Sequence, residues 1–177
     1  MQDKYFMMKK LFLIAIGIAF VLSSCVRHVA VVPGSYISAD FDEVSTTFSV
    51  IDTALYSSSN GLNALTLTAA TGTADSCHAL QIRVFSSAAI TSGSTYTYPA
   101  ESNPGESTPS LTYKPTLNGI YSYNWFTDLS GTPPLIITIT TITATHVTGT
   151  FSGAVVSQQT GTVKVITNGK FDLDLQQ

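Results

Sequence analysis

The chain has 177 residues, of which only 11% are Asp, Glu, Lys or Arg, and a formal net charge of −3 at pH 7. So few charges, with no basic cluster, exclude a nucleic-acid-binding surface. Beyond residue 25 the chain is rich in Thr, Ser, Val, Ile and Tyr, the residues that fit a pleated surface, and it is long enough for one domain with a sizeable core.

The amino-terminal segment has three parts. Lys9 and Lys10 supply positive charge, residues 11–22 form an uncharged, mostly apolar run, and Leu22-Ser23-Ser24-Cys25 follows directly. A spanning helix needs about 20 apolar residues, so this run has the length of a signal-peptide core. Leu22, Ser23, Ser24 and Cys25 resemble the lipobox of bacterial lipoproteins, position by position. That resemblance implies diacylation of the Cys25 sulfur, cleavage before Cys25 and acylation of the new amino group. Two or three acyl chains are enough to hold a protein on a membrane. The competing reading is an ordinary secretory leader with an incidental cysteine. Asp3 is foreign to a positive leader, and a start at Met7 or Met8 gives a more orthodox one. Residues 1–24 are read as signal peptide, 25–34 as lipidated cysteine and tether, and 35–177 as a single β domain.

After the tether, short extended stretches alternate with turn residues, and no helix is predicted. Residues 36–42 and 46–56 read as strands, with Asn60-Gly61 as a turn. In residues 64–69, Leu65 and Leu67 face inward. In 78–85, Leu80, Ile82 and Val84 share one face, and Gln81 and Arg83 share the other. Residues 91–94 turn into a strand at 95–98. Residues 99–109 read as a long surface loop. Strands are predicted at 111–114, 120–127, 135–142 and 146–156. Ile137 and Ile139 point inward in the third of these, and Val147, Gly149 and Phe151 in the fourth.

The last two connections allow a register argument. A three-residue turn at Thr143-Ala144-Thr145 aligns Ile139 with Gly149. A three-residue turn at Thr167-Asn168-Gly169 pairs Val165 with Phe171 and Val163 with Leu173, and puts all four in the core. Nine to eleven short strands imply an all-β antiparallel β-sandwich, with a β-barrel as second choice.

Val147-Thr148-Gly149-Thr150-Phe151-Ser152-Gly153 and Thr167-Asn168-Gly169-Lys170-Phe171-Asp172 resemble the C-terminal part of a group of small uncharacterised Bacteroidota lipoproteins. Residues 36–48 and Gly93-Ser94-Thr95-Tyr96 sit where that group has its opening strand and its mid-domain turn. The resemblance implies a β domain and transfers no catalytic residue.

Motifs for chemistry are sparse. In Gly149-Thr150-Phe151-Ser152-Gly153 the serine stands one place late for a hydrolase elbow. His28, His78 and His146 lack the spacing of a zinc pair, so no metal and no cofactor are expected. Once Cys25 is acylated, Cys77 is the remaining cysteine; alternation separates it from His78, and it reads as a passive core residue. Asp40 and Asp42 share a strand face that suits either calcium or a solvated edge. Asp172 and Asp174 read as the wet face of the last strand. Tyr121, Tyr123 and Trp125 alternate along one strand, either as a face for stacking on a sugar ring or as part of the core. Asp52-Thr53-Ala54 resembles the O-glycosylation signal of Bacteroidota envelope proteins, with Thr53 as acceptor.

The expectation is an acyl-anchored envelope lipoprotein with a structural or interaction role and no catalysis. The alternative is a carbohydrate- or ligand-binding module using Tyr121, Tyr123 and Trp125. Its partners are the membrane, through the anchor, and an envelope protein or glycan. Val26-Arg27-His28-Val29 lacks the aspartate that resembles an inner-membrane retention signal, and the acidic run that resembles a surface-export signal. The expected location is therefore the periplasmic leaflet of the outer membrane. The tether reaches about 30 Å at most.

Overall fold

The computed structural model describes residues 34–49, 51–72, 77–99, 107–117, 120–121 and 124–176. Among them are β1 (Tyr36–Phe41), β2 (Val44–Phe48), β3 (Ile51–Ser59), β4 (Leu62–Thr71), β5 (His78–Ser86) and β6 (Thr95–Tyr98). Then come β7 (Ser107–Leu117), β8 (Ile120–Tyr121), β9 (Trp125–Thr127), β10 (Leu135–Ile142), β11 (His146–Ser157) and β12 (Val163–Gln176). No helix occurs among the described residues. The two-residue period of the sequence becomes a two-residue period of burial. Leu65 and Leu67 in β4, Leu80, Ile82 and Val84 in β5, and Leu135, Ile137 and Ile139 in β10 are all buried. Their intervening threonines and Arg83 lie outside the buried set.

The strands form two facing layers, as the all-β sandwich expectation has it. One layer runs β2-β1-β12-β11-β10-β6, and the other runs β3-β4-β5-β7-β9. Without pairing to them, β2 lies against β4 and β5, and β6, β10 and β11 lie against β7. Phe41, Phe48, Leu111, Tyr113, Phe151, Ile166 and Phe171 fill the space between. The layers are also hydrogen-bonded to each other at two corners. There β12 runs parallel to β3, with Leu175 opposite Ala54, and β11 pairs with β9, with Ser157 opposite Trp125. Pairing therefore closes a ring through β12, β3, β4, β5, β7, β9 and β11, with β1-β2 and β10-β6 attached outside it. A closed ring removes most of the unpaired edge that an open sheet exposes.

Four expectations change. Residues 46–56 carry two strands in different layers: β2 pairs with β1, and β3 pairs with β4. Residues 120–127 also divide, into β8 and β9. The predicted loop at 99–109 ends early, because β7 already begins at Ser107 and buries Pro109. The largest change is at residues 167–169. They do not turn, and β12 is one strand of 14 residues.

Asn168, at φ 54°, sits at an irregularity inside β12. The register to β1 shifts between Ser38 and Asp40, and that to β11 between Phe151 and Gly153. An extra residue in a strand reverses which side chains face inward. Phe171, Leu173 and Leu175 are buried as expected, but Val163 and Val165 are 43% and 40% exposed. Val165 pairs with Ala154, Val163 with Val156, and Phe171 with Gly149. An Asn-Gly pair supplies the left-handed backbone that a bulge and a hairpin both need, so local sequence alone does not separate them. At the other connection, Ile139 does align with Gly149; a bulge between Ile139 and Thr141 then brings Ile142 opposite Val147.

β11 and β12 interlock through two reciprocal pairs. Gly149 stands opposite Phe171, and Phe151 stands opposite Gly169. A Cβ on Gly149 would collide with the Phe171 ring and the Thr138 carbonyl; one on Gly169 would collide with the Phe151 ring and carbonyl. Each glycine is thus the space that a phenylalanine occupies. Gly149→Ala should destabilise the fold by about 2–3 kcal/mol through overpacking. Chemical denaturation checks this, and an unchanged midpoint would show that the ring has room to move.

Candidate functional site

Leu22, Ser23, Ser24, Cys25 and Tyr123 lie outside the described residues, and Tyr121 is described by its backbone alone. Tyr121 pairs with Thr116, whereas Trp125 pairs with Tyr113, a register offset by one residue. Trp125 itself is 8% exposed and belongs to the core. Stacking on a sugar needs an open ring face, and this ring lacks one. The Lys164 ammonium lies 5.3 Å from its centroid, within the range of a cation–π contact.

Lys164 is held there by Asp42, at 2.9 Å. Asp42 does not share a strand face with Asp40. It opens the two-residue turn between β1 and β2, where Asp42 and Glu43 take φ values of 49° and 70°. Its backbone N–H donates to the Val165 carbonyl, and its Oδ1 accepts the Val165 N–H, both at 2.9 Å. The Lys164 hydrogen bond, working against burial, holds the Asp42 carboxyl below its usual range. Asp40 instead accepts a hydrogen bond from Asn168 at 2.8 Å. These carboxylates fasten the β1–β2 turn to β12 and are not arranged around a cation.

Two histidines are similarly engaged. Burial lowers the His78 pKa, and its Nδ1 and the Tyr113 hydroxyl share a hydrogen bond at 3.0 Å. Burial pushes Tyr113 up to about 12, so its hydroxyl stays protonated. Phe41 stacks on Tyr113 at 4.4 Å. Cys77, next to His78, is buried. On the outer face, His146 Nε2 lies 2.9 Å from Asp172 and its Nδ1 lies 3.4 Å from Asp174. The wet face expected for these aspartates is therefore bridged to β11.

Asp52 differs from the other carboxylates. Its Oδ2 is buried and has no hydrogen-bond partner among the described residues. Burial first, and then the Asp174 charge, raise its pKa. Its neighbour Thr53 is exposed on β3, opposite Thr68.

Sequence reasoning missed a shallow cleft where the chain leaves β5 and crosses to β6. Its volume is ≈ 300 Å³, and Ser86, Ser87, Ala89, Ser94, Thr95 and Tyr96 line it. Asn63 holds one wall. Its Nδ2 donates to the Ala88 carbonyl at 3.0 Å and to the Ser86 carbonyl at 3.4 Å. Its Oδ1 accepts the Tyr56 hydroxyl at 3.0 Å. Ser86 Oγ accepts the Ala88 N–H at 3.1 Å. The other wall is held by Gly93, at φ 82°, whose N–H donates to Ile139 at 2.7 Å, and by a 3.0 Å contact between the Thr91 and Ser94 hydroxyls. Burial raises the Tyr96 pKa, a hydrogen bond with Ser94 opposes that rise, and nearby Tyr56 adds to it. One signal for this site was legible. Alternation in β4 puts Asn63 on the same face as Leu65 and Leu67, and a polar side chain there needs partners.

Comparison with protein-family models, with curated proteins and with solved structures returned no match.

Two predictions follow from these groups. Folding raises the Asp52 pKa above its ordinary 3.8. The stability carried by the protonated form is complete below that value and is lost as pH climbs through the raised one. Asp52→Asn cannot ionise. It should be more stable than wild type at pH 7, by less than about 1 kcal/mol because the group is partly solvated. The gap should close in acid, and melting curves across pH 3–7 read it. Trp125 is the sole tryptophan. Lys164→Ala should uncover its ring and move its fluorescence emission to the red, and unchanged emission would mean that other groups cover it.

Proposed function

We propose that the chain is an acyl-anchored cell-envelope lipoprotein whose β domain serves a structural or interaction role without catalysis. The observation that carries this reading is the run from Lys9 to Cys25: positive charge, an apolar core of signal-peptide length, and the lipobox Leu22-Ser23-Ser24-Cys25. The use of the ionisable groups supports the second half. His78 is spent on Tyr113, Lys164 on Asp42 and Trp125, and His146 on Asp172 and Asp174. Each of these contacts ties one strand to another strand or to the β1–β2 turn.

In this reading the domain begins within about ten residues of the lipid, so its partners lie within about 30 Å of the bilayer. The periplasmic leaflet of the outer membrane is the location we assign, from the residues after Cys25. Thr53, exposed beside Asp52, is the acceptor we assign for an envelope O-glycan. The ligand-binding alternative loses one of its three rings, because Trp125 is buried.

Fractionation and labelling test the anchor. Wild type should incorporate a palmitate analogue and sediment with membranes, and Cys25→Ser should do neither. A Cys25→Ser protein that still sediments with membranes would overturn the anchor. The intact mass of the native protein reads both modifications, as acyl mass at residue 25 and glycan mass that disappears in Thr53→Ala.

A further inference from the structure

We propose that Asn60, at the tip of the β3–β4 hairpin, is a site of spontaneous deamidation through a cyclic imide, and that the fold protects the same dipeptide at Asn168-Gly169. The inference does not rest on the lipid anchor.

Asn-Gly occurs at residues 60–61, 118–119 and 168–169. The second of these lies outside the described residues. The chemistry is common to all. The glycine backbone nitrogen attacks the carbonyl carbon of the Asn side chain. The new C–N bond closes an imide ring, the attacking nitrogen gives up its proton, and the side-chain nitrogen leaves as ammonia. Water then opens the imide at either carbonyl. One opening gives aspartate. The other gives isoaspartate, in which the main chain runs through the side-chain carbons and is longer by a methylene. Water is the only co-reactant, and glycine is the successor that hinders the attack least, having no side chain.

Local backbone does not separate the first site from the third, because Asn60 and Asn168 have φ values of 53° and 54°. Their surroundings do. Asn60 and Gly61 are both exposed, and a Cβ added at Gly61 would meet nothing within 4 Å. Among the described residues, no hydrogen bond holds the Asn60 side chain. The side chain and the Gly61 nitrogen must swing together, so the turn has to open first. That requires parting only the end of the hairpin, where Ser59 stands opposite Leu62, and hairpin tips open at the least cost.

Asn168 is fixed from several sides. Its Nδ2 donates to Asp40 at 2.8 Å. Gly169 is buried opposite Phe151, whose carbonyl and ring fill the space beside it. At this level β12 is paired on both edges, to β1 and to β11. Moving the Gly169 nitrogen toward the Asn168 side chain breaks the β11–β12 interlock, so reaction there waits for an opening close to global unfolding. The two products at Asn60 also differ in effect. Aspartate tolerates left-handed backbone and keeps the turn. Isoaspartate lengthens a loop whose length sets the hairpin register, and it does so beside Asn63, which holds the Ser86 and Ala88 carbonyls.

The test incubates the full chain for weeks in mildly alkaline heavy-oxygen water, both folded and in concentrated urea. Mass spectrometry of proteolytic peptides then gives the rate at each Asn-Gly. Each folded rate is divided by the rate of the same peptide in urea. Asn60 should keep a folded rate within about tenfold of its unfolded one, and Asn168 should be slowed by more than about a hundredfold. The Asn60 product should be a mixture of aspartate and isoaspartate carrying oxygen from the solvent. Amide exchange at residues 62–64 should quicken in the isoaspartate form and stay as in wild type in Asn60→Asp. The proposal is overturned if folded Asn168 reacts as fast as Asn60, or if the fold protects both alike. It is equally overturned if Asn60 yields aspartate without isoaspartate, since direct hydrolysis then replaces the imide.

Discussion

The structure depends on the interlock between β11 and β12. Gly149 and Gly169 give up their side-chain volume to Phe171 and Phe151, and the two strands pair along nearly their whole length around those contacts. The exchange does two things. It buries two large rings without displacing backbone, and it sets the register that every other pairing inherits. On its other edge β12 carries β1 and then β3, while β11 carries β10 and then β9. A one-residue slip between β11 and β12 would misplace both layers at once.

A strand that serves two layers has to bend, and the bulges supply the bend. The β11–β12 register shifts once, where the step from Phe151 to Gly153 in β11 faces one residue more in β12, around Asn168. Across it β12 reverses its faces, so Val163 and Val165 are exposed while Ile166 and Phe171 are buried; β11 keeps one period throughout. Asp42 fastens the β1–β2 turn to this stretch by accepting from both Lys164 and the Val165 N–H. Lys164 in turn covers Trp125. The charged residues at this end of the domain therefore close the core. That explains why the acidic residues near Asp42 do not gather as they would around a metal ion.

The candidate cleft depends on the same geometry. It exists because β5 and β6 belong to different layers, and the connection between them must span the gap with small residues. Asn63 reaches that connection from β4, 23 residues before Ser86 in the chain. A run such as Ser86-Ser87-Ala88-Ala89 reads as a loop and nothing more until its carbonyls are seen to be held. The aromatic strand shows the opposite case. Its residues look like a platform when spaced along a line, but the spacing does not say which ring a neighbouring strand covers. The partner strand, β7, also draws Trp125 into the core beside Tyr113.

By itself the sequence determined the class of fold, most of the inward-facing residues and the tight Asn60-Gly61 turn. These follow from periods and dihedral preferences that act over a few residues. It also carries the anchor reading, because a signal peptide and lipobox are linear signals. Only the tertiary structure decided whether Asn168-Gly169 turns or bulges, whether Val165 faces water, and whether Trp125 is free. In each case the local backbone suits both outcomes, and the choice is made by partners far away in the chain. β11 and β1 keep β12 paired as one strand across the bulge, and Lys164, brought in by β12, closes over the Trp125 ring. The cleft was decided in the same way, by a buried asparagine whose partners lie on another strand.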